Sequence, residues 1–95
     1  MTGSTEMEKI LNELRQDFIE DLPNALDAII TSHISRDMDA LFQAVHRLKG
    51  AAAVCQYEKI AALSENYCQV LREKRYDDLD YYHNSLILAC SEVDN

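Results

Sequence analysis

The chain has 95 residues, 17 of them acidic and 9 basic, for a formal net charge of −8, with 47% hydrophobic and 27% charged side chains. That length allows one modest core and excludes a multidomain enzyme, and the acidity argues against a nucleic-acid or anionic-membrane surface. Two glycines and one proline leave few places to turn, which points to helices.

Thr5 followed by Glu8 fits a capping box at the first helix start. Met7, Ile10, Leu11, Leu14, Phe18, Leu22, Leu26, Ile29 and Ile30 then recur at three- and four-residue steps, predicting a helical region over about 6–34. Pro23 interrupts it, which calls for either a kink or a split into two helices with a short N-terminal one. Ile34-Ser35-Arg36 reads as a connection, and Asp37 is placed to cap a second helix. Met38, Leu41, Phe42, Val45, Leu48 and Ala52 form its buried stripe, and it should end near Cys55 or Gln56.

A third segment begins around Tyr57 and carries Ile60, Leu63, Ser64, Tyr67 and Leu71 to a cationic last turn, Arg72, Lys74 and Arg75, suited to the negative end of a helix dipole. Asp77 or Asp78 is expected to cap a fourth, with Leu79, Tyr82, Leu86, Ala89, Cys90 and Val93 facing inward. No stretch alternates with period two. Short connections make neighbouring helices antiparallel, so the expected fold is all-α, an up-and-down four-helix bundle occupying residues 1–95 as one domain.

Cys55, Cys68 and Cys90 are odd in number and spaced like neither a disulfide framework nor a metal knuckle, which favours a reducing cytoplasm. The opening MTGSTEMEKI lacks the progression of a signal peptide, and no apolar run reaches membrane-spanning length. A cytoplasmic location is expected, and the short termini and initiating methionine lean towards a free-standing protein over a domain cut from a hybrid kinase. His33 and His83 lack ligand spacing, so no metal site is expected and both read as surface or helix-end residues. The tyrosines read as core-edge rings with hydroxyls in water, and Arg72, Lys74 and Arg75 as helix-end decoration. Glu65, Asp77, Asp78 and Asp80 form no recognisable acid/base pair, and no glycine-rich phosphate loop is present, so the chain should receive phosphate rather than generate it.

The informative stretch is HRLKG, residues 46–50. With the second helix centred on Val45, His46 lies about 100° round, at the shoulder of the apolar stripe. Phe42 and Gln43 lie one turn before it, Lys49 and Gly50 one turn after, and Ala53 two turns after. Phe42 can brace the ring and Lys49 can offer a counter-charge to an attached phosphoryl group. Glycine within a helix costs roughly 1 kcal/mol relative to alanine. What it adds is room for another molecule's backbone beside His46. A neutral imidazole carries a lone pair able to attack phosphorus.

AVHRLKGAAAVCQYEKIAAL resembles the signature of histidine-containing phosphotransfer (HPt) domains, His-x-x-Lys-Gly with interleaved apolar residues, and the likeness extends more weakly through FIEDLPNAL to nearly the whole chain. The resemblance implies a four-helix bundle with a short additional N-terminal helix. It implies a phosphorelay intermediate without kinase activity of its own, in which His46 is the phosphoacceptor, Lys49 balances charge and Gly50 gives access. Receiver domains of response regulators, or a hybrid histidine kinase, would be the partners of a monomer, docking over Phe42, Gln43, Arg47, Ala53 and Gln56. Mg²⁺ would be supplied by the receiver, with no cofactor on this chain. Gln56 stands where many members have a second glycine, and Arg36 where a glycine often closes the preceding loop. Those departures give some weight to a non-phosphorylated helical adaptor that docks a receiver or kinase; a plain dimerisation module is a third reading.

Overall fold

The structure, a computed structural model, describes the backbone of residues 2–93 and the side chains of residues 6–93. Four helices follow in order: α1 (Thr2–Ser35), α2 (Met38–Val54), α3 (Glu58–Arg72) and, after a 3-10 turn at Tyr76–Asp78, α4 (Leu79–Ser91). The connections are only a few residues long, so each helix returns antiparallel to the one before it. No strand occurs among the described residues.

The expected split at Pro23 does not occur. α1 is one 34-residue helix that runs through the proline, so there is no separate short N-terminal helix. Pro23 lies on the exposed face, where solvent can reach the Ile19 carbonyl that loses its amide partner. The helix already runs from Thr2, and the side chain of the expected capping box at Thr5 lies outside those described.

The α1 stripe is not buried throughout. Phe18, Leu22 and Ile29 are in the core, whereas Met7 is 70% exposed and Ile10 54%. The reason is length. At about 1.5 Å per residue α1 spans roughly 50 Å and α2 roughly 25 Å, and the molecule measures 50 × 21 × 20 Å. Packing starts where Leu14 and Arg15 meet the end of α2: Arg15 Nε donates to the Cys55 carbonyl at 2.8 Å, and the Cys55 thiol lies 3.4 Å from the Leu14 carbonyl.

Asp37 caps α2 as expected, its carboxylate accepting from the Ala40 amide at 3.2 Å. Asp78 precedes α4 but caps nothing with its side chain, because that carboxylate accepts from Arg75 Nε at 3.2 Å. α2 buries Leu41, Val45, Leu48 and Ala52; α3 buries Ile60, Ser64, Tyr67, Cys68, Val70 and Leu71. All three cysteines are buried free thiols, pushed above the ordinary thiol range by burial, Cys90 to about 11.

Two expectations at the other end of the bundle are corrected. Tyr67 is fully buried, and its hydroxyl meets His83 Nδ1 at 2.8 Å instead of water. His83 is itself buried, stacked on His33 with 3.7 Å between ring centroids, and His33 Nε2 meets the Asp80 carboxylate at 2.9 Å. Position 83 falls between the apolar positions Tyr82 and Leu86, where periodicity alone reads a histidine as peripheral.

Each of α1, α2 and α3 is closed by a residue with positive φ: Arg36 (59°), Gln56 (62°) and Lys74 (55°). In each case the following amide bonds five residues back, as Asp37 to Ser32, Tyr57 to Ala52 and Arg75 to Val70, which is the Schellman closure. Glycine takes this conformation without strain, while another residue gives up roughly 1–2 kcal/mol. Gln56→Gly is therefore expected to stabilise the fold by about 0.5–1 kcal/mol, after the greater freedom of an unfolded glycine is subtracted. An unchanged or lower urea midpoint would contradict the turn assignment.

Burial lowers the His83 pKa from 6.5 to about 4, with the nearby His33 acting in the same direction. The folded chain thus binds fewer protons than the unfolded chain between those values. This contribution is complete above pH 6.5 and is lost as pH falls towards 4, on the order of 3 kcal/mol in all. Urea titrations between pH 7 and pH 4 should show that decline, and a His83→Asn variant should flatten it.

Candidate functional site

The site is built on the middle of α2, whose rotation is fixed by its buried side. Leu41 and Val45 are fully buried and Leu48 nearly so, which turns the next position round the helix, His46, outward into solvent. Phe42, half-buried one turn earlier, stacks against the imidazole with 5.7 Å between centroids and 26° between planes. The ring is braced on that side.

Gly50 lies one turn beyond His46, exposed and with an ordinary helical φ. A Cβ built on it would meet nothing within 4 Å. Tight helix packing does not explain this glycine, and neither does backbone conformation. Its effect is to leave the surface beside the imidazole bare.

Lys49 points elsewhere than the sequence implied. Its Nζ lies 2.7 Å from Glu65 Oε2 on α3, and Glu65 Oε1 also accepts from Arg72 at 3.4 Å. The Lys49 hydrogen bond, then its charge, hold the Glu65 carboxyl below the usual range, with Arg72 adding to both. Arg72 in turn places its guanidinium carbon 5.3 Å from the centre of the Phe42 ring that stacks on His46. Glu65 and Arg72 therefore belong beside the site, although the sequence reading took Arg72 as helix-end decoration and found no acid/base role for Glu65. The one available signal was that they lie seven residues apart on a single helix face.

Of the rim residues, Gln43, Arg47 and Ala53 are exposed. Gln43 and Ala53 share the His46 face by helical spacing, whereas Arg47 turns towards α1. Gln56 lies past the end of α2, about 15 Å along the axis from His46, and its αL conformation keeps the turn closed without a glycine. Between α1 and α2 runs an open groove of about 650 Å³, floored by Phe18, Leu22, Ala25 and Leu48, with Arg47 and Gly50 on its α2 edge.

No group of three or more potential metal ligands occurs among the described residues, and no described helix is long and apolar enough to cross a membrane. The family model of the Hpt domain matches residues 13–95. The chain belongs to the Hpt domain family. A comparison with curated proteins and one with solved structures each give no significant match. Hpt domains pass phosphoryl groups through a histidine in phosphorelays, interact with receiver domains and kinases, and are phosphotransfer modules rather than kinases. The match begins at Glu13, beside the point where α1 first packs against α2.

Because Gly50 meets nothing, its replacement by alanine is expected to stabilise the fold by about 0.5–1 kcal/mol through helix propensity alone. A drop in stability would show that an unfavourable contact exists at this position after all.

Proposed function

We propose that His46 is the phosphoacceptor of this Hpt domain, taking a phosphoryl group from a receiver aspartate and delivering it to another receiver. The observation that supports this most directly is the exposed imidazole with a Cβ-free surface one turn away. In the transfer, the unprotonated ring nitrogen forms a bond to phosphorus as the bond to the aspartyl oxygen breaks. The electron pair returns to the carboxylate of the receiver. The other ring nitrogen keeps its proton, so no base is required on this chain.

Phe42 limits the rotation of the ring, which favours an in-line approach. Lys49 supplies positive charge near the transferring group once it leaves Glu65, and Gly50 admits the partner's backbone. The receiver brings Mg²⁺, in keeping with the loose transition state of phosphoryl transfer, and this chain holds no metal of its own. Docking extends over Phe42, Gln43, Arg47, Ala53 and Gln56 and into the α1–α2 groove, whose apolar floor and charged edge suit a partner that must bind and then leave. The protein acts in the cytoplasm as a monomer.

Incubation with phosphorylated receiver domains tests this reading. Wild type should acquire an acid-labile, base-stable phosphate, and His46→Gln should acquire none while retaining the helical circular dichroism of the wild type. Full labelling of His46→Gln would refute the assignment, and an unlabelled wild type that still binds a receiver would identify an adaptor.

A further inference from the structure

Lys49, one turn along α2 from the histidine, and Arg72 of α3, over the Phe42 ring that stacks on the histidine, are both held by one carboxylate. Starting at the imidazole, the chain of contacts runs to Phe42 at 5.7 Å, from Phe42 to the Arg72 guanidinium at 5.3 Å, from Arg72 to Glu65 at 3.4 Å, and from Glu65 to Lys49 at 2.7 Å. Lys49 stands one helical turn from His46, so the series closes into a loop across the α2–α3 seam. Gln69 also accepts from Arg72, at 3.3 Å, and offers that cation a neutral partner.

We propose that Glu65 is a positioning residue that competes with the phosphoryl group for Lys49 and Arg72, keeping phosphorylated His46 high enough in free energy for onward transfer. The proposal rests on His46 being the phosphoacceptor. A phosphoryl group on the imidazole brings close to two negative charges to the same neighbourhood, and it can gain Lys49 and Arg72 as counter-cations only by drawing them from Glu65. The side chains of Lys49, Arg72 and Glu65 are 26%, 43% and 48% exposed, so they can exchange partners without opening the core. Glu65 performs no proton transfer and forms no bond to phosphorus. It sets how much of the cations' attraction phosphorylation can realise.

The test is the equilibrium ratio of phosphorylated His46 to phosphoaspartate, measured with a receiver domain that labels the wild type. An equilibrium constant between free species does not depend on how tightly the two proteins dock. Glu65→Gln keeps the shape of the side chain and releases both cations. It should move the ratio towards phosphohistidine by about three- to tenfold, as expected from losing two exposed ion pairs. The shift should shrink to little or nothing at 1 M salt, where the screening length falls to about 3 Å; a structural effect would persist. A ratio unchanged in Glu65→Gln, moved towards phosphoaspartate, or displaced equally at high salt overturns the proposal while leaving His46 as acceptor. A wild type that no receiver labels overturns the underlying reading, and this proposal with it.

Discussion

Burial of one face of α2 is the constraint on which the rest of the molecule depends. Leu41, Val45, Leu48 and Ala52 must all be removed from water against α1 and α3, and no rotation of the helix other than the observed one does this. Once that rotation is set, His46 has to face out, Phe42 has to lie at the margin where it can stack on the ring, and Lys49 has to face α3. Apolar packing thereby aims a polar side chain that makes no contribution to the core.

The placement of glycine runs against the needs of the fold. Three helix ends adopt a left-handed conformation that glycine would relieve, and they carry arginine, glutamine and lysine instead. The glycine of α2 occupies a mid-helix position where neither conformation nor space requires it. Local rules broken without structural gain mark places under some demand other than stability, and here the broken rule adjoins the exposed histidine.

Periodicity made α2 legible almost residue by residue, including the Asp37 cap and an end at Cys55, because one apolar stripe and one capping side chain decide a short helix. It misled for α1. An amphipathic stripe is the same signal whether or not a neighbouring helix is long enough to cover it, and only the relative lengths show that Met7 and Ile10 lie beyond the bundle. His83 and Tyr67 were misplaced because a polar atom can be buried when another helix supplies its partner, which no single-helix pattern records. For the same reason the tie from Glu65 to Lys49 could not be read from the chain: residues 16 apart meet across two helices.

The three cysteines give the molecule a practical property. Each thiol is enclosed and disfavoured from ionising, and the thiolate is the form that alkylating reagents and oxidants attack. The native protein is therefore expected to react only slowly with maleimides under mild conditions. A single cysteine introduced on the open surface of α2, at Gln43 or Ala53, would accept a fluorophore or spin label alone, with the three natural sulfurs left in place.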